Sequence, residues 1–339
     1  MNTKRWIAVA IAAFLFFVSI GFSALSLLLS KNVSEQVTSM FDDPEEDYLT
    51  ETVKQSGTSS KRIALLTVDG TIQDTGEGSL FSSETYNHQA FMKQLDAVEK
   101  DKSVKGVVLN VNSPGGGVVE SKQIYEKIKE IQQKRSIPIY VSMGSMAASG
   151  GYYISAPADK IFADEETITG SIGVIMQGVN YSKLAKKYGI EFETIKTGPY
   201  KDIMSGTREA TDGDREILQT MVDESYARFV NVIVDGRDLS KADVKKLADG
   251  RIYSGSQAKK NGLVDELGYE SDTIAALKKD HQLKDAEVFA YDGSDSWASL
   301  FTAKASSFLT SGSADAHVIS TILKNYNSAP RMMYLYGEE

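Results

Sequence analysis

Two strand-to-helix junctions made of small residues limit what this chain can fold into. In "NVNSPGGGVVES" Gly115, Gly116 and Gly117 follow Pro114, and in "SMGSMAASGGYYIS" Ser149 stands between Ala148 and Gly150. Each junction closes a short apolar run and opens a helical pattern, so the backbone turns where side chains are smallest. The same alternation continues around them. "RIALLTVDG" (Arg62 to Gly70), "VKGVVLNVN" (Val104 to Asn112), "PIYVSM" (Pro138 to Met143), "KIFAD" (Lys160 to Asp164), "IGVIM" (Ile172 to Met176) and "FETI" (Phe192 to Ile195) have the composition of strands. Phe91, Leu95 and Val98 repeat with a helical period between the first two, and a helix from about Val118 to Lys134 follows the second. Strands interleaved with helices define an α/β class with parallel pairing. Further on, Asp212 can cap a long helix with a wide apolar stripe through Ile217, Leu218, Met221, Val222, Tyr226, Phe229, Val230 and Ile233. That stripe suits burial against the sheet or against another subunit. No internal repeat is evident, and one globular domain over residues 62–290 is expected.

The flanks differ in kind. No residue from Trp6 to Ser30 is charged, and Lys4 and Arg5 precede the run. A stretch longer than the ~20 apolar residues that span a bilayer reads as a transmembrane anchor within residues 1–31. A cleaved signal peptide is the alternative, since Gly21, Ser23, Ala24 and Ser26 would suit a peptidase. Acidic residues from Glu35 to Glu51 follow the run, and the positive-inside bias then leaves a cytoplasmic N-terminus and an extracytoplasmic domain at the cell membrane. Residues 32–61 have too little apolar content to fold alone and read as an acidic flexible tether. Residues 291–339 form a C-terminal extension, of which Tyr291 to Ser313, with Trp297, Leu300, Phe301, Phe308 and Leu309 as its main anchors, reads as a loosely docked helix. Its end, "APRMMYLYGEE", suits a tail lying in a groove and equally a frayed terminus.

Composition removes several chemistries. A net charge of -9, with lysines dispersed among carboxylates, argues against a nucleic-acid partner. With no cysteine there is no disulfide, thiolate nucleophile or Cys-based metal site. His88, His281 and His317 each stand among polar neighbours and read as surface histidines, which supports neither a zinc site nor a His-based triad. Neither G-x-G-x-x-G nor a P-loop is present, so no nucleotide cofactor is expected. Consecutive glycines at a helix N-terminus can aim amide N–H groups at an anion or a developing oxyanion, though a tight turn needs the same residues. Ser149 at the opening of the second helix is placed to attack a carbonyl, or simply lets the helix pack closely on a strand. A serine nucleophile needs a base, and lysine is the type that remains. It serves only where an apolar, water-poor site brings its pKa toward neutrality. Lys183, Lys186, Lys187, Lys122, Lys127 and Lys129 fall on polar helix faces, whereas Lys201 lies among Tyr200, Ile203 and Met204 in "TGPYKDIMSG". An ordinary exposed loop lysine has the same local sequence.

Together "VNSPGGGV", "SMAASGGYYIS", "ITGSIGVI", "GPYKDIMS" and "DGRIYSGSQAKKNGLVDELG", with the anchor, resemble the signal peptide peptidase A family of membrane-bound Ser/Lys proteases. The resemblance implies a ClpP/crotonase-like fold of repeated ββα units. It implies Ser149 as nucleophile, Lys201 as general base, Ser171 as the hydroxyl that holds the lysine amine, and the amides of Gly116 and Gly150 as the oxyanion hole. Lys196, the nearest competitor, does not match in "TIKTG". The family's substrates are remnant signal peptides and other short hydrophobic chains, bound extended and cleaved without metal or nucleotide. Lipid would be met through residues 6–30. A ring-like homo-oligomer, a homo-octamer for a chain of this length, would share each site between neighbouring protomers. Two other readings keep the fold: a non-catalytic membrane scaffold, and a crotonase-like acyl-CoA enzyme. The latter works through carboxylates, and neither loop has Asp or Glu beside its glycines.

Overall fold

The computed structural model describes residues 49–75, 86–291 and 331–337. The anchor expected at residues 6–30 and most of the C-terminal extension lie outside them. Among the described residues no helix is long and apolar enough to cross a membrane.

A mixed sheet organises the domain. Its strands are β1 (Glu51–Gln55), β2 (Thr58–Asp69), β3 (Val104–Ser113), β5 (Ile139–Ala148), β6 (Lys160–Ala163), β7 (Ile168–Gly170), β8 (Ile252–Ser254), β9 (Glu266–Leu267) and β10 (Ala286–Tyr291). The order is β1-β10-β2-β3-β5-β6-β9, and β7 leaves the path to pair with β5 and β8. Pairing is parallel from β10 to β9 along that path, and antiparallel only for β1 on β10 and β8 on β7. The central strands read as continuous Ile, Val and Leu because both of their faces are covered. On one face lie α1 (His88–Lys100), through Phe91, Leu95 and Val98, and α2 (Val118–Arg135), through Ile124, Ile128 and Ile131. On the other, Ile274 and Leu277 of α8 (Glu270–Asp280) pack with Ile63, Leu65, Val108, Tyr140 and Phe162. A short strand, β4 (Gly115–Gly117), follows β3 and pairs with β11 (Met333–Leu335) in a sheet of its own.

Several elements depart from the sequence-based expectation. Residues 51–55 and 58–61, assigned to the tether, are strand: β1 pairs with β10 and β2 begins at Thr58. Arg62 ties this edge together, bridging to Glu51, Asp101 and Glu287 and lying 3.6 Å over the Phe289 ring. "IGVIM" forms no strand, because the sheet takes Ile168–Gly170 instead and leaves Ile175 with only an isolated bridge. "FETI" forms none either; no strand neighbours it and Ile195 is 96% exposed. The long helix, α5 (Asp212–Gly236), is capped by Thr211 rather than Asp212, since Thr211 and Asp214 close a reciprocal capping box. Only its second half buries the stripe, through Phe229, Val230 and Ile233, while Ile217 and Met221 are exposed. His88 is not a surface histidine: it is buried, accepts or donates at Nδ1 to the Tyr86 hydroxyl at 2.8 Å and meets Gln123 at 2.8 Å through Nε2. His281 is exposed as expected, and His317 lies outside the described residues.

Candidate active site

Ser149 occupies the turn between β5 and the short helix α3 (Gly150–Ser155), with φ 52° and ψ −113°. An L-residue in that conformation is strained, and such strain collects at reacting groups. Two backbone bonds hold the turn: the Ser149 amide donates to the Gly170 carbonyl at 2.8 Å, and its own carbonyl accepts from Tyr153 at 2.8 Å. Close packing supplies the rest. A side chain on Gly150 would come 2.7 Å from Ser121 Oγ, and one on Gly151 would come 2.9 Å from the Ser113 carbonyl. The small residues here therefore serve close packing and leave the hydroxyl at a strained corner.

Ser171 is another serine with positive φ, 49°. Ala148 and Gly170 are paired in the β5–β7 ladder, so the residues that follow them, Ser149 and Ser171, emerge side by side. Both line one cleft of about 390 Å³ with Ile172, Val174, Val222 and Tyr226. Met204, in the loop that carries Lys201, is another positive-φ residue, at 65°.

The glycines of β4 approach the same corner. Gly115 has φ +104°, and the place its Cβ would take is 2.0 Å from the Tyr334 carbonyl oxygen and 2.6 Å from the Gly150 amide nitrogen. The Gly116 amide nitrogen is 3.0 Å from the point a Gly150 Cβ would occupy. The amide nitrogens of Gly116 and Gly150 thus stand near one another where side chains are absent, and a carbonyl oxygen lies at the same corner.

That carbonyl belongs to the chain's own tail, which lies in the groove as an extended strand. Met333, Tyr334 and Leu335 pair antiparallel with Gly117, Gly116 and Gly115. On the other side Met333 exchanges two backbone bonds with Ile175, at 2.9 and 3.1 Å. Tyr334 is buried against Tyr153 and Phe229, with ring centroids 4.9 and 4.7 Å away, and its hydroxyl donates to the Ser225 carbonyl at 3.1 Å. Burial pushes this phenol up to about 12, so it remains a donor at neutral pH. Leu335, the next residue, lines the cleft of Ser149. Of the two expectations for the tail, the groove is the one this strand fits.

Lys201 is not brought to the cleft within one chain. It is exposed in its loop and is absent from the cleft lining. The loop itself is firmly tied: Asp202 accepts from Lys196 at 2.7 Å and from Arg208 at 2.8 Å, and Arg208 also pairs with the buried Asp214. Lys196 is therefore engaged structurally. Arg208 first, with Lys196, holds the Asp202 carboxyl well below the usual range; Arg208 first, with the Thr211 amide, does the same for Asp214. Carboxylates depressed in the folded state stabilise it above their ordinary pKa near ~4, and that contribution is lost as pH falls through the lower folded value. The melting temperature of Arg208→Met is accordingly expected to lie below the native one by a constant gap above about pH 5. The gap should shrink as pH drops further; a pH-independent gap would contradict this account of the loop.

Sequence reasoning missed the aromatic pocket that receives the tail and one carboxylate. Glu120, in the first turn of α2, curls back so that its Oε2 stands 1.9 Å from where a Gly117 Cβ would be. A carboxylate does lie beside the glycines, contrary to expectation. The signal was available, since a side chain three residues into a helix faces the N-terminal turn.

A strained serine next to two neighbouring amides, in a groove that holds an extended strand, is the arrangement of a serine protease on an α/β scaffold. The family model for peptidase family S49 matches residues 131–284, and that for Clp protease matches residues 79–167. A protein of Enterococcus faecium bearing the provisional name signal peptide peptidase SppA is 44% identical over 354 aligned positions, covering 99% of each chain. A provisionally named protease of Methanocaldococcus jannaschii is 44% identical over 64% of this chain and 68% of its own. Protease 4 of Haemophilus influenzae is 39% identical over 63% of this chain and 34% of its own. The chain belongs to peptidase family S49, the signal peptide peptidase A family, and is a serine protease.

Proposed function

We propose that the chain is a membrane-anchored endopeptidase with a Ser149/Lys201 dyad that degrades remnant signal peptides and other short hydrophobic peptides. Neutral Lys201 takes the proton of the Ser149 hydroxyl as Oγ bonds to the substrate carbonyl carbon. The negative oxygen is received by the amides of Gly116 and Gly150, and the lysine then returns its proton to the departing amine. Water, activated by the same amine, hydrolyses the acyl-enzyme. Ser171 holds the amine through a hydrogen bond. The observation that carries this reading is the tail: its Tyr334 carbonyl borders the two amides and its Leu335 lies in the cleft of Ser149. A peptide laid along the same path would present its scissile bond between those positions.

Sharing of each site between protomers follows from the placement of Lys201. The amine is exposed in one chain, and Val179, Leu184, Tyr188, Ile190 and Ile195 beside it are exposed too, as are Ile217 and Met221 on α5. Apolar surface on this scale marks an interface. A neighbouring copy covering it would bring Lys201 out of water and toward the neighbour's Ser171. A closed ring of such contacts, with eight subunits as the proposed number, is heterologous and contains as many sites as chains. The uncharged run at residues 6–30, with Lys4 and Arg5 before it, supports a single-pass anchor in lipid with the protease domain outside the cytoplasm.

Mixing inactive Ser149→Ala and Lys201→Ala chains during assembly tests the shared site. Random incorporation of equal amounts leaves roughly a quarter of sites with both groups intact, so about a quarter of native activity on a fluorogenic hydrophobic peptide is expected. Mixed assemblies of native size that stay inactive would refute the sharing.

A further inference from the structure

Glu120 makes no capping hydrogen bond in its own helix. The cap of α2 is Gly117, which offers no side chain, and the Gly117 amide donates to the Ile72 carbonyl at 2.8 Å rather than to the Glu120 carboxylate. The carboxylate turns instead toward the end of the groove. Its side chain is only 11% exposed, and Oε1 accepts from Arg331 Nη1 at 3.3 Å and from the Asp74 amide at 3.4 Å. Arg331 stands three residues before Tyr334, the residue that faces Gly116, and its second nitrogen donates to Gln73 Oε1 at 2.9 Å.

We propose that Glu120 is a specificity-determining residue that selects a cationic side chain in the substrate, three residues before the one whose carbonyl enters the space between Gly116 and Gly150. This rests on the proposed function, because it takes the tail's path as the substrate's path. Three features make the site selective. The bare Gly117 leaves room for the carboxylate to lie against the bound strand. The carboxylate is largely removed from water, where a charged donor counts for more than at an open surface. Gln73 offers a second acceptor, so a planar guanidinium is bound at two points whereas an ammonium meets one. The preferred peptide therefore carries arginine ahead of an apolar run and places an aromatic residue against Tyr153 and Phe229. A peptide with an acidic residue in the arginine's place meets repulsion.

The test uses acetylated peptides with the sequence of residues 331–337, one with arginine first and one with citrulline, its uncharged isostere, and for the charge-reversed variant a third with glutamate first. Each is offered to the full-length assembled protein, and both its hydrolysis and its inhibition constant against a fluorogenic peptide are measured. The native protein is expected to favour arginine about tenfold. The ratio should fall to about one in Glu120→Gln, and Glu120→Lys should favour a peptide with glutamate first. Because the tail competes equally with each peptide, it does not alter the ratio. Equal inhibition constants in the native protein, or a ratio that survives Glu120→Gln, would overturn the inference. If Glu120 only steadied α2, its replacement would lower the melting temperature and shift both peptides alike, which also overturns it. Failure to hydrolyse either peptide would count against the proposed function, while the ratio of inhibition constants would still decide the role of Glu120.

Discussion

Replacement of Ser149 by alanine is expected to lower kcat by about 10⁴-fold or more on a fluorogenic hydrophobic peptide, and to abolish labelling by a serine-directed covalent inhibitor. Position is the reason. The hydroxyl is at a corner with φ 52° and ψ −113°, between strand and helix, beside amides that no side chain blocks. Alanine keeps that backbone strain and every backbone bond of the turn, so the melting temperature should stay close to native. Ser149→Gly separates the two consequences. It removes the same nucleophile but relieves strain of about 1–3 kcal/mol, against roughly 1 kcal/mol for the greater freedom of glycine in the unfolded chain. That variant should be as inactive and should melt at or above the native temperature. A Ser149→Ala protein that still turned over peptide and still took the inhibitor would remove Ser149 from the mechanism.

The second large effect is expected at Gly116. A Cβ there would lie 1.9 Å from the Ile72 carbonyl oxygen and 2.5 Å from its carbon, so Gly116→Ala must displace backbone. Gly116 bridges to Ile72 on one side and pairs with Tyr334 on the other, and no flexible side chain can yield instead. Loss of one oxyanion donor costs about 10²–10³-fold in kcat. A donor that acts mainly on the developing charge changes kcat, whereas a merely narrowed groove changes KM. Steady-state kinetics of Gly116→Ala therefore discriminate: native kcat with a raised KM would sink the oxyanion assignment.

The central βα alternation was legible because valines, leucines and isoleucines buried on both faces leave an unmistakable run, as from Ile63 to Leu66 and Val107 to Leu109. Ser149 and the glycines were legible because absent side chains are themselves a pattern. Other parts left weaker marks. The strand at Ile168–Gly170 is short and carries Thr and Gly, so the more apolar "IGVIM" beside it drew the assignment. "FETI" reads as a strand, yet its apolar residues are exposed on the single chain. His88 hides among polar neighbours because its burial is satisfied by hydrogen bonds to Tyr86 and Gln123 rather than by apolar flanks. Glu120 meets a segment more than two hundred residues away along the chain, and the pocket for Tyr334 is built more than a hundred residues from it, which no local pattern announces.

The ladder between β5 and β7 acts as a ruler for the two alcohols. Hydrogen-bonded register between Ala148 and Gly170 sets their spacing, so it is inherited from the sheet and does not change on dilution. The amine has no such ruler within its own chain, and under the proposed sharing its arrival is a bimolecular event. On that proposal half of the machinery is built at folding and the other half only when copies meet, so a newly made, solitary chain would carry its nucleophile unarmed.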